Sequence, residues 1–146
     1  MAGVMQGQVF GLGELLRDVG KLGNIPGAVM KAAVRAKADV TQKTVDFNAE
    51  ARLNGRYSEG VVARSSKIEK VRCARGNASC QLNFKGEQHK TRVAEIAFLN
   101  EYGVHGTVQE GGRHFIADAS RDKGTRDAGD QAAADVLFDW MRTINL

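Results

Sequence analysis

Apolar positions along this chain change their spacing several times, and each change marks a different kind of element. Leu12, Leu15, Leu16, Val19 and Leu22 recur at helical spacing and predict a short amphipathic helix of about three turns. Gly20 and Gly23 weaken and then end it. Asn24-Ile25-Pro26-Gly27 breaks the chain, with a proline suited to the first turn of the next helix. Val29, Ala33, Ala36, Val40, Thr44, Phe47 and Ala51 then form one narrow, Ala-rich stripe, with Lys31, Arg35, Lys37, Asp39, Lys43, Asp46 and Glu50 between them. The spacing predicts a long helix over 27–53 that packs closely on a sheet or a neighbouring subunit, stopped by Asn54-Gly55.

The middle third switches to a period of two. Cys80, Leu82 and Phe84 alternate with Gln81, Asn83 and Lys85, and Val71 and Cys73 alternate with Lys70 and Arg72. This is the signature of half-buried strands. Gly76 and Asn77 tolerate the tip of a two-residue hairpin, a register that pairs 75 with 78, 73 with 80 and 71 with 82. It makes Cys73 and Cys80 reduced cross-strand neighbours on the inner face, about 5.5 Å apart at Cα. Residues 60–68 are expected to continue or precede this strand, with a bulge or break near Ser65-Ser66.

Residues 92–102 fit two periods. Val93, Ile96, Ala97 and Asn100 suit a helix, whereas Val93, Ala97 and Leu99 suit a strand interrupted by Glu95. The excess of Ala and Leu over β-branched residues favours a short buried helix leading into Gly103 and a polar loop over 103–112. The chain closes on a helical stripe of Ala132, Ala133, Val136, Leu137, Trp140, Met141 and Ile144, whose helix begins either near Ile116 or only after Gly124. Asp127, Asp130 and Asp135 near its start and Arg142 near its end match the helix dipole. Together these elements predict a single α+β domain over 1–146: a long N-terminal helix and a C-terminal helix packed on a small antiparallel sheet.

Composition alters this picture little, but charge distribution does. Net charge is +4 over 146 residues, and it is uneven. Residues 64–92 hold eight basic side chains (Arg64, Lys67, Lys70, Arg72, Arg75, Lys85, Lys90, Arg92) against Glu69 and Glu87. Residues 101–146 hold five basic and eight acidic ones. Such a split suits head-to-tail packing of identical subunits, a positive surface near a polyanion, or simply a solvated sheet face. No apolar run reaches the roughly 20 residues of a membrane-spanning helix, and no secretion signal opens the chain.

The chain offers no catalytic set. His89, His105 and His114 lie in polar stretches without metal-ligand spacing, and the two cysteines lack zinc-site companions. There is no nucleophile elbow, P-loop or H-E-x-x-H pattern, and Glu95 and Glu101 have nothing to orient them as a carboxylate pair. No cofactor, no metal and no enzymatic activity are expected.

Arg92-Val93-Ala94-Glu95-Ile96-Ala97-Phe98-Leu99-Asn100-Glu101-Tyr102-Gly103-Val104-His105-Gly106, followed by Gly112-Arg113-His114-Phe115-Ile116, resembles a signature of the small tail-completion and head–tail joining (minor tail) proteins of lambda-like siphophages. Their pattern is an apolar segment, then Asn/Val-Glu-Tyr/Phe-Gly-Thr, a polar loop, and Ala-Arg-Pro-Phe before a C-terminal helix. Gly11-Leu12-Gly13-Glu14-Leu15-Leu16, the long Ala/Lys helix and Asn54-Gly55-Arg56-Tyr57 resemble the family's opening helix and first turn, so the likeness runs through nearly the whole chain in order. Val104 departs from the usual Thr, His114 from the Pro, and Asn54 from the Thr of the turn. Losing that proline predicts a 106–116 loop that is either more mobile or differently docked.

The resemblance implies a structural virion protein of the neck or tail, assembled in the host cytoplasm. It forms a closed, sixfold homo-oligomeric ring between connector and tube proteins, with DNA passing through. Glu101, Tyr102, Gly103, Arg113 and Phe115 would either fix a turn within the subunit or touch partners. Arg64, Lys67, Lys70, Arg72, Arg75 and Lys85 would face DNA or pair with the acidic half of a neighbouring copy. Two other readings remain open on the sequence: a nucleic-acid-binding accessory protein that uses the basic 64–92 region, and a tail-assembly chaperone that leaves the particle.

Overall fold

Twenty-six consecutive residues without proline or an interior glycine form the spine of the protein, helix α1 (Gly27–Arg52). The computed structural model describes residues 25–53, 59–74, 77–103 and 112–144. The expected helix over 12–22, the 54–57 turn, Arg75 and the hairpin tip at Gly76, and the loop residues 104–111 lie outside these. Pro26 stands one position before the first turn, where its carbonyl accepts the N–H groups of Val29 and Met30 at 3.0 and 3.1 Å. After α1 come a helical turn α2 (Val61–Arg64), strands β1 (Ser66–Ile68), β2 (Arg72–Ala74), β3 (Asn77–Ser79), β4 (Leu82–Phe84), β5 (Glu87–Gln88) and β6 (Thr91–Arg92), and helices α3 (Val93–Tyr102), α4 (Phe115–Arg121) and α5 (Lys123–Thr143). The α+β architecture read from the sequence is the one observed.

The expected stripe on α1 holds for its first half only. Ala33 is buried against Ala133, Ala134 and Leu137 of α5, with Val29, Trp140 and Met141 around them. Phe47 and Ala51, further along the same stripe, are exposed, Phe47 by 70%. The second half instead buries Val45 and Ala49, together with Leu53, Val62, Val93, Ala97, Phe115 and Ala119. Val45 lies about 120° round the helix from Ala33 at 100° per residue. One helix thus serves two apolar clusters with different faces, a division that one stripe cannot express. Between them lies a polar layer: the Lys37 ammonium pairs with the Asp130 carboxylate, whose side chain is 5% exposed, and Thr44 and Thr125 share a hydrogen bond at 3.0 Å.

The C-terminal stretch is two helices rather than one. α4 ends at Arg121, and Asp122 starts α5 by accepting the Thr125 N–H at 2.7 Å and its hydroxyl at 2.8 Å. Those two bonds hold the Asp122 carboxyl below its usual range, and they make a side-chain cap of the kind helices favour. Both starting points proposed for the last helix therefore contain part of the answer.

The strands pair in three two-stranded antiparallel ladders: β1 with β4, β2 with β3, and β5 with β6. Residues 61–64, expected as strand, form the turn α2, and the chain changes to strand after Ser65, where the alternation slips. The hairpin register also differs from expectation. Cys73 pairs with Ala78 and Ala74 with Asn77, so the cysteines are not cross-strand partners. A shift of two residues keeps every side chain on its face, and alternation alone fixes only that parity. Val71, Cys73, Cys80 and Leu82 remain on the half-buried side and Arg72 and Gln81 on the exposed side. Both thiols are free. Between Ile68↔Leu82 and Arg72↔Ser79, three residues oppose two, a bulge that lies after β1 rather than at Ser65-Ser66.

Among the described residues one buried side-chain polar atom is left over. Asp46 Oδ1 is shielded from solvent and has no hydrogen-bond partner. Burial pushes this carboxyl above its ordinary value, against a hydrogen bond from Ser66. The protonated form therefore favours the folded state. The contribution is fully present below about pH 4 and is lost as pH rises through the folded-state value. Asp46→Asn leaves a polar atom at the unpartnered position but removes the charge that burial disfavours, so it should raise stability at pH 7, and the gain should shrink toward pH 3. Urea denaturation at the two pH values measures both.

Candidate functional site

Helix α3 and the start of α4 carry the residues singled out by resemblance, and the fold brings them together. α3 is a helix as expected, though only one side of it is buried: Val93, Ala97 and Glu101 face inward. Glu101 is 3% exposed, yet its carboxylate is fully engaged. Oε2 accepts the N–H of Ile116 at 2.8 Å and Oε1 that of Ala117 at 2.9 Å. These are free donors of the first turn of α4, whose own cap residue, His114, supplies no side-chain bond. A carboxylate on the positive end of a helix makes charge-assisted bonds that a local Ser or Asp would otherwise provide.

Three further contacts close the clasp. The N–H of Arg113 donates to the Asn100 carbonyl at 2.7 Å, and that of His114 to the Glu101 carbonyl at 3.3 Å. The Arg113 guanidinium donates to the Arg52 carbonyl at the end of α1. In return, Arg52 donates to the Arg113 carbonyl at 2.9 Å and pairs with Asp118 on α4. Phe115 is wholly buried, its ring edge-on to Phe84 with centroids 6.1 Å apart. Gly103 ends α3 at φ 85°, ψ 174°, a region only glycine occupies readily. At Gly112 a Cβ would fall 1.9 Å from the Glu101 carbonyl oxygen, so the returning strand can pass only because that side chain is absent.

Tyr102 does not anchor the turn. It is 63% exposed and lies against Phe98, with ring centroids 4.8 Å apart. Phe98 and Leu99 are exposed by 60% and 45%. α3 was read as a buried helix, but its outer side is an apolar, aromatic face; the composition that favoured burial also fits a surface. Alternation and helical spacing give no sign of the roles of Arg52 and Asn100, because these depend on chain segments 13 to 66 residues away.

His114 adopts φ 47°, ψ 36°. Proline, with φ locked near −65°, cannot take this conformation. The departure from Pro at this position therefore accompanies a left-handed turn, a docking of residues 112–116 that proline would not permit, while 106–111 lie outside the described residues.

The basic residues are spread over the turn α2, the strands and their connections. Arg64, Lys67, Lys70, Arg72, Lys85, Lys90 and Arg92 are all exposed. Lys85 pairs with Glu69 and, ahead of the amide of Asn83, holds that carboxyl below its usual range. His89 and His114 are exposed. Among the described residues no group of three or more His, Cys, Asp or Glu could hold a metal ion, and no helix is long and apolar enough to cross a membrane. No protein-family model, curated protein or solved structure matches the chain.

Two substitutions probe the clasp. Glu101→Gln puts an amide donor against one of two N–H donors and removes the charge. It should cost about 1–3 kcal/mol in chemical denaturation, whereas Glu95→Gln, on the exposed side of α3, should cost little. His114→Pro should destabilise by more than about 1 kcal/mol, because φ must reverse sign and the N–H to Glu101 is lost. A thermal melt at or above the wild-type midpoint would refute this account of position 114.

Proposed function

We propose that this chain is a structural ring subunit of a long-tailed phage neck or tail, working by surface contact with copies of itself and with adjoining connector and tube proteins rather than by catalysis. The observation that carries the reading is the clasp. The residues that resemble the tail-completion signature form one connected unit in which Glu101, Gly103, Arg113 and Phe115 fix the turn from within. Phe98, Leu99 and Tyr102 are left facing outward beside it. A helix whose inner side is pinned by such bonds and whose outer side displays aromatic residues suits recognition, since the side chains need not be ordered on contact. A closed ring further requires two different surfaces on each subunit, and the α3 face supplies one of them.

The full chain should sediment as a discrete multi-subunit species and appear as rings by negative-stain electron microscopy. Phe98→Ser/Tyr102→Ser, changed only at exposed positions, should keep the wild-type circular dichroism and melting temperature but remain monomeric. A wild-type chain that stays monomeric at high concentration, and is missing from purified particles, would sink the proposal.

A further inference from the structure

The strand region has two unlike sides. Ile68 and Ala78 are buried and Val71, Cys73, Cys80, Leu82 and Phe84 half-buried, a set that lies toward α1 and the first apolar cluster. The other side carries Lys67, Lys70, Arg72, Asn77, Ser79, Gln81 and Asn83, all exposed. Lys67 stands opposite Asn83 and Arg72 opposite Ser79, so each fixed cation has a neutral polar neighbour. Glu69 is the acid beside them, and Lys85 already neutralises it. Among the described residues Lys67, Lys70 and Arg72 have no ion-pair partner within 4.0 Å.

The acidic half of the chain is a poor match for this surface. Asp118 is taken by Arg52, Asp130 by Lys37, Asp127 by Lys123 and Asp139 by Arg142. Glu101 and Asp122 cap helices, and Asp135 accepts from Gln131. The carboxylates that made residues 101–146 look complementary to the basic stretch are, among the described residues, engaged within their own subunit. On a second copy these carboxylates alternate along α5 with Lys123, Arg126 and Arg142, whereas the adjacent cations of the ribbon are matched by a partner that is itself a dense polyanion.

We infer that the outer side of the β1–β4 and β2–β3 ladders, centred on Lys67, Lys70 and Arg72, is a sequence-independent contact for the phosphate backbone of double-stranded DNA. From Lys67 to Arg72 the strand covers about 16 Å at the usual rise. Duplex DNA presents about nine phosphate charges over that length. The flanking amides and hydroxyl add donors for phosphate oxygens, and there is no exposed aromatic among them on which to stack an unpaired base. This deepens the ring reading by naming the surface that would meet DNA, and it can be tested apart from assembly.

The test is fluorescence anisotropy of a labelled random-sequence duplex of about 20 base pairs with the full chain, between about 50 and 200 mM salt. Three phosphate contacts predict a slope of log affinity against log salt near −2.7, or about a 40-fold loss over that range. Lys67→Gln/Lys70→Gln/Arg72→Gln should lose affinity at least tenfold at low salt and most of the slope, with an unchanged melting temperature. Lys123→Gln/Arg126→Gln/Arg142→Gln, of equal charge change on α5, should bind like wild type. Equal weakening by both triple variants, a wild-type slope near zero, or competition by polyglutamate as effective as by DNA would overturn the assignment. Sedimentation in the same buffers separates the two readings: DNA binding that persists in a chain that never assembles supports this contact and refutes the ring alone.

Discussion

The carboxylate of Glu101 is the contact on which the arrangement of helices depends. It sits on one helix, is almost entirely out of water, and is satisfied by the backbone of another. A buried charge without partners would be expelled or neutralised, so its presence fixes where α4 begins and how its axis points. Phe115 is thereby seated in the core, and Asp118 is brought within reach of Arg52. The reciprocal donation between Arg52 and Arg113 then ties the end of the spine to the same point, so three chain segments meet at one junction.

A second constraint acts along the spine. The contact between α1 and α5 is built from alanines, which allow close approach but specify axial position weakly. Lys37 and Asp130 supply the missing specificity. A slide of one turn, about 5.4 Å, would leave both charges unpaired in a mostly buried layer, and breaking such a pair costs about 3–5 kcal/mol. Thr44 and Thr125 mark the same register one step further on.

Much of this could be read from the sequence where a single period governed a single neighbour. The stripe between Pro26 and Asn54-Gly55 bounds α1, alternation gives the inward set of the strands, and composition has to be added to spacing to make α3 a helix. The failures share a cause. Phe47 was placed inward because the stripe was extended past the point where α1 changes partners. Cys73 was paired with Cys80 because alternation fixes the face and not the partner. At the site, resemblance picked out Glu101, Gly103, Arg113 and Phe115, and the structure gives each a role inside the subunit, but nothing local distinguished outward Tyr102 from them. Arg52 lay in a wet-looking position at a helix end, and its task depends on a carbonyl 61 residues away.

The bulge after β1 and the brevity of the strands carry a further consequence. Among the described residues each ladder has only two strands, and a strand edge without a second partner invites another chain to add on by backbone pairing. Three-residue strands offer few such bonds, the bulge bends the ribbon away from flatness, and lysines and arginines line it. Where many copies crowd together, the ribbons should therefore resist zipping into a continuous fibre, which leaves the helices to decide how neighbours adhere.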